Sequence, residues 1–89
     1  MRKLVLAILR DEDAPSVMEA LISRNFRVTK IASTGGFLRR GNVTLLIGTE
    51  EEHLDELLKA ISGACATPPP GQHKAIVFVI PMEQFIQVG

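Results

Sequence analysis

Apolar and polar positions divide the chain into six segments. Residues 4–9 (Leu-Val-Leu-Ala-Ile-Leu) are apolar without alternation, which predicts a strand covered on both faces and therefore central in its sheet. Val17, Met18, Leu21 and Ile22 then recur at helical spacing behind Pro15, with Asp11 and Asp13 as N-cap candidates, predicting a helix over residues 14–24. Residues 27–34 place Val28 and Ile31 among polar and small side chains and run into Gly35-Gly36, a second strand leading into a turn-rich loop that ends near Gly41-Asn42. Residues 43–47 (Val-Thr-Leu-Leu-Ile) form a third strand, paired most simply with the second as an antiparallel hairpin. Thr49 and Glu52 stand at capping-box spacing ahead of a stripe of Leu54, Leu57, Leu58 and Ile61, so a second helix opens there and ends near Gly63. Three prolines stiffen residues 67–74, and residues 75–80 form a fourth strand closed by Pro81, followed by a tail through Phe85.

The order βαββαβ predicts an α+β ferredoxin-like sandwich: a four-stranded antiparallel sheet with two helices on one face. The other face is then bare, although the first and last strands carry apolar residues at successive positions and need cover on both sides. Self-association through the open sheet is the economical way to supply that cover, so an oligomer is expected.

Length and charge narrow the function. At 89 residues the chain is one domain, and 46% hydrophobic against 22% charged residues is enough apolar material to fold. Ten Lys/Arg balance ten Asp/Glu, which removes the basic excess of a nonspecific nucleic-acid binder. No apolar run approaches the ~20 residues of a membrane span, and the acidic Asp11-Glu12-Asp13 ends the first run where a signal peptide needs small residues. Cys65 is the single cysteine and has no disulfide partner within the chain, as suits a reducing cytoplasm.

Catalytic signals are poor. His53 and His73 lack the spacing of metal ligands, Cys65 has no near basic neighbour, and the acids 11–13 and 50–52 are accounted for by helix N-termini. Residues 25–42 stand apart, gathering hydroxyls, amides, four cations, a Gly pair and Phe37. Glycines bare their backbone N–H groups, cations pair with phosphate oxygens, and a phenyl ring offers a base a stacking surface. A nucleotide site and a solvated polar hairpin remain equally open on these residues. The pattern is neither a P-loop nor GxGxxG. On the residues alone, Asn25 can terminate the first helix, while Phe26 and Phe78 read as core.

Asn25-Phe26-Arg27 with Thr29-Lys30, Thr34-Gly35-Gly36-Phe37-Leu38, Gly41-Asn42-Val43-Thr44 with Gly48, and Val77-Phe78-Val79-Ile80-Pro81 through Phe85 to Gln87 together resemble the PII-like cyclic-di-AMP receptors, small cytoplasmic bacterial signal-transduction proteins. The resemblance spans nearly the whole chain. It implies one PII-like domain over residues 1–89, a non-enzymatic homotrimer with no cofactor, and cyclic-di-AMP held in clefts between subunits to alter a downstream protein. Carried over, Asn25, Arg27, Val28 and Thr29 would meet adenine and phosphate, and Phe37 and Leu38, beside Gly36, would pack on a base. Asn42, Gly48, Phe78 and Gln87 match the remaining positions, some across the subunit boundary. One departure stands out: members carry a long Gly/Pro-rich loop before the last strand, and here that span is only residues 67–74. The alternative is a PII-like trimeric interaction protein that has lost cyclic-di-AMP binding or takes another adenine nucleotide.

Overall fold

The computed structural model describes residues 1–31 and 41–89. Its elements are β1 (Arg2–Arg10), α1 (Ala14–Ser23), β2 (Arg27–Ile31), β3 (Asn42–Glu50), α2 (Leu54–Ala64) and β4 (Ala75–Pro81), with 3-10 turns at Asp11–Asp13 and Glu51–His53. The strands form one antiparallel sheet in the order β2-β3-β1-β4, so β1 is central. This is the expected α+β sandwich, with the β2–β3 pair antiparallel as the sequence suggested. Residues 32–34, the expected end of the second strand, lie outside the described residues.

Strand periodicity sorts the residues. Val5, Ala7 and Leu9 of β1 and Val43, Leu45 and Ile47 of β3 are buried against Val17 and Leu21 of α1 and Leu57 and Ile61 of α2. Each of the Val, Leu and Ile side chains, fully buried, contributes roughly 1.5–3 kcal/mol. Val28, Ala75 and Val77 pack on the edge of this cluster. The alternate residues point to the opposite face, on which Thr44 of β3 is buried and the apolar residues of β4 are exposed. Among the described residues, none covers the far side of β4: Ile76 and Phe78 are each 52% exposed. The reading of Phe78 as core from its apolar run is thus corrected, because its parity in the strand places it opposite Leu6 on the open side. Ile22, placed in the apolar stripe of the first helix, is also exposed, being off the face that carries Val17 and Leu21.

Two helix starts differ from expectation. Thr49 does not cap α2: β3 continues through Glu50 because β1 pairs with it as far as Lys3↔Thr49 and Arg2↔Glu50. The Thr49 hydroxyl donates to the Glu50 carbonyl, and α2 begins only after the Glu51–His53 turn. Asp13 occupies the position before α1, but its carboxylate makes no cap bond. It is buried and accepts instead from Arg10 Nε at 3.2 Å and from the Ala66 backbone N–H at 3.2 Å, while Arg10 Nη2 donates to the Ala66 carbonyl at 3.1 Å. A charge pair thereby clamps the end of β1 to the exit of α2.

Beside this clamp sits Cys65, which is buried. Burial pushes its thiol above the ordinary cysteine range, the Asp13 carboxylate adds to the effect, and Lys74 and Arg10 partly offset it. Neutral thiol is therefore favoured in the fold, and stability present below the ordinary thiol value is lost as pH rises through the raised one. Native protein should label slowly with iodoacetamide and quickly in urea. Its alkaline loss of stability should shrink in Cys65→Ala, measured by urea titration as pH rises above about 8.5.

Candidate functional site

Site geometry begins at the end of α1. The Phe26 N–H donates to the Leu21 carbonyl at 3.0 Å and the Asn25 N–H to the Ile22 carbonyl at 2.9 Å, with Asn25 at φ 66°. This is a Schellman ending with asparagine in the left-handed position, which Asn tolerates better than other non-glycine residues. Phe26 then packs partly onto the core, as expected of it. The turn delivers the chain directly into β2, so Asn25 has a backbone role whatever its amide does. Asn25→Gly keeps the turn and removes the amide, whereas Asn25→Ala also forces an alanine into left-handed geometry at about 1–2 kcal/mol. Thermal unfolding should place the alanine variant clearly below the glycine variant. Any loss of ligand affinity in the glycine variant then reports on the amide alone.

Register places the next residues. Arg27 lies opposite Gly48, Thr29 opposite Leu46 and Ile31 opposite Thr44. On the far side of β3, Gly48 faces Leu4, Leu46 faces Leu6 and Thr44 faces Ile8. β4 completes the rows with Ile80, Phe78 and Ile76. The open face thus carries three transverse rows: Arg27-Gly48-Leu4-Ile80, Thr29-Leu46-Leu6-Phe78 and Ile31-Thr44-Ile8-Ile76. On the β2 edge the cationic Arg27 and polar Thr29 are followed by the apolar Ile31, and β4 carries only apolar groups. Asn42 lies further along β3, opposite Arg10.

Arg27 and Thr29 are exposed and side by side on the same face of an edge strand. Arg27 makes no ion pair among the described residues, whereas the next acid along that face, Glu50, is held by Arg2 Nε at 3.1 Å and by the N-terminal amine at 3.9 Å. Gly48 is exposed, and a Cβ built on it would meet nothing within 4 Å. Nothing in the described part of the subunit itself therefore calls for glycine there.

The structure brings together Arg27, Thr29 and Gly48, with Asn25 at the entrance to the strand. Asn42 lies six positions before Gly48 along β3, ~20 Å at the usual rise. Val28 alternates to the helix side and packs on the core, leaving its backbone as the part available on an edge strand. Phe78 sits on the open face beyond Leu6, and Gln87 lies in the exposed tail after β4. Gly36, Phe37 and Leu38 lie outside the described residues. Among the described residues there is no group of three or more His, Cys, Asp or Glu side chains placed to hold a metal, and no helix is long and apolar enough to cross a membrane.

Sequence reading missed the cavity of about 890 Å³ at the other end of the open face, to which Asn42, Gln72 and His73 contribute. Its signal was available only in part: Asn42 was marked by resemblance, but nothing in residues 67–74 indicated that they close one side of a cavity.

A solved relative, described as a functionally unknown protein from Pediococcus pentosaceus ATCC 25745, is 40% identical over 98% of this chain and 97% of its own, with a TM-score of 0.77. The family model described as Cyclic-di-AMP receptor matches residues 2–69, from β1 to the prolines that follow α2. With more than half its length so matched, the chain belongs to the cyclic-di-AMP receptor family.

Proposed function

We propose that the protein is a cytoplasmic bacterial sensor that binds cyclic-di-AMP in clefts between the subunits of a homotrimer and passes the signal to a partner protein, without catalysing a reaction. The observation that carries this reading is the exposed row pair on the open face, where Arg27, Thr29 and Gly48, a glycine that no described residue requires, adjoin in a chain of this family. Arg27 supplies a charged, forked donor for a phosphate, Thr29 a hydroxyl, and Gly48 the clearance for a ligand to lie against the sheet.

The separation of the two ends of the site favours clefts over a pocket within one subunit. Arg27 and Gly48 stand at one end of β3 and Asn42 at the other, and apolar residues of β1 and β4 lie between them unburied. Packing the open faces of neighbouring copies covers that apolar area and brings the Arg27 end of one copy toward the Asn42 end of the next. The exposed Phe85, Ile86 and Val88 of the tail provide further apolar surface for a neighbour, and Gln87 travels with them.

Gly48→Val tests the site. Valine is at home in a strand, and a Cβ at this position meets nothing within 4 Å among the described residues, so thermal stability of the subunit should be retained while cyclic-di-AMP binding is lost. Unchanged affinity in that variant would remove Gly48 from the site and with it the row pair on which the reading rests. A second reading, an interaction protein without ligand, is favoured by the short 67–74 connection, and predicts no binding of cyclic-di-AMP, ATP or AMP even at high concentration.

A further inference from the structure

Residues 66–74 join α2 to β4 without entering the core. None of their side chains is buried in it or packed against it, whereas Cys65 before them and Ala75 after them are. Gly71, Gln72, His73 and Lys74 nevertheless line one side of the cavity of about 890 Å³ at the Asn42 end of the open face. An exposed connection with no apolar anchor is ordinarily the part of a fold that opens most readily. Three features of this chain oppose that.

The first holds the start. Buried Asp13 accepts from the Ala66 N–H through Oδ1 at 3.2 Å and from Arg10 Nε through Oδ2 at 3.2 Å, and Arg10 Nη2 donates to the Ala66 carbonyl at 3.1 Å. Both backbone groups of Ala66 are thereby fixed to the end of β1 and the turn that follows it. The second stiffens the middle. Pro68, Pro69 and Pro70 have φ set by their rings, and a residue before proline is confined to extended backbone, which restricts Thr67. Gly71 follows Pro70 at φ 81°, and the Gln72 N–H donates to the Pro69 carbonyl at 3.1 Å, which is the form of a type II turn. The third holds the end: Lys74 Nζ donates to the Ser62 carbonyl of α2 at 3.0 Å.

We infer that residues 66–74 are a prebuilt wall of the cavity, rigid before any ligand arrives, with Asp13, Arg10 and Lys74 as its positioning residues. Asp13 does not line the cavity, so it acts on a ligand only through the placement of Ala66 and of the stiff segment beyond it. A wall fixed in advance spares the ligand the ordering of a loop, and affinity is higher for it. Free and bound protein then differ elsewhere than in this connection. The positioning role rests on the proposed ligand site; the rigidity of the wall does not.

Nitrogen-15 relaxation of the full-length protein tests the wall directly. Backbone order parameters of residues 71–74 should be about 0.85, as in rigid backbone, with or without saturating cyclic-di-AMP. Values below about 0.6 in the free protein overturn the inference. Asp13→Ala should speed exchange of the Ala66 amide proton by roughly tenfold or more and weaken cyclic-di-AMP binding by roughly tenfold. Asp13→Asn keeps an acceptor for that N–H and should recover most of both. Unchanged affinity in Asp13→Ala, with the Ala66 amide released, removes the positioning role. Lys74→Met supplies a second variant should Asp13→Ala not fold: order parameters at 71–74 should fall while those of α2 hold, and no fall overturns the anchoring by Lys74. Rigid residues 71–74 without any binding of cyclic-di-AMP keep the wall and remove the second messenger as ligand. Cyclic-di-AMP that binds and only then orders these residues keeps the messenger and removes the wall.

Discussion

Replacing Phe78 by aspartate should dissociate the assembly while leaving the subunit folded. Phe78 is 52% exposed in the single chain and belongs to none of the buried core, so its removal costs the subunit fold little. In an oligomer built on the open faces the same ring is covered, at the β4 end of the middle row Thr29-Leu46-Leu6-Phe78. An aspartate there must be buried without a partner, at a cost of several kcal/mol in each copy, or the interface must open. Multiplied over the copies of a trimer, this exceeds what a modest interface supplies. Sedimentation should therefore show a trimer for the natural sequence and a monomer for Phe78→Asp, with the far-ultraviolet circular dichroism of the two alike. A trimer that persists in the variant would place the interface elsewhere than on this face.

Arg27→Ala should have the second large effect, on affinity alone. Arg27 is exposed on an edge strand and makes no ion pair among the described residues, so the fold does not depend on its charge. A charged hydrogen bond to a phosphate contributes about 1.5–3 kcal/mol, equivalent to a weakening of roughly 10- to 150-fold in the dissociation constant for cyclic-di-AMP. Arg27→Lys should recover only part of this, because an ammonium keeps the charge but lacks the planar fork. Full affinity in Arg27→Ala, with the oligomer intact, would assign phosphate recognition to other residues.

The fold was readable because its signals are local. Proline near the start of α1, the Leu54-Leu57-Ile61 spacing of α2 and the apolar runs of β1 and β4 each state an element without reference to the rest of the chain. The errors arose where a tertiary partner decided the outcome. Thr49 carries a cap signal, yet β1 extends β3 through it and Glu50. Asp13 carries the same kind of signal, yet Arg10 and the Ala66 backbone occupy its carboxylate. Phe78 sits in an apolar run that suggested core, and only its register with Leu6 reveals the open face.

The candidate site divides along the same line. The polar character of Arg27 and Thr29 was visible in the chain, but that they adjoin Gly48 follows from pairing between β2 and β3. Asn25 was legible both as a helix terminator and as a ligand candidate, and its positive φ accounts for the first. The cavity at the far end of the face depends on the convergence of β1, β3 and the 67–74 connection, which no local pattern encodes.

Calorimetric titration of the full-length protein with cyclic-di-AMP, with cyclic-di-GMP, ATP and AMP as comparisons, tests the central claim most directly. Saturable heat with cyclic-di-AMP near one ligand per chain, strongly reduced with cyclic-di-GMP, is the predicted result. Absence of heat together with absence of thermal stabilisation by cyclic-di-AMP would contradict the assignment of this receptor-family chain as a cyclic-di-AMP sensor.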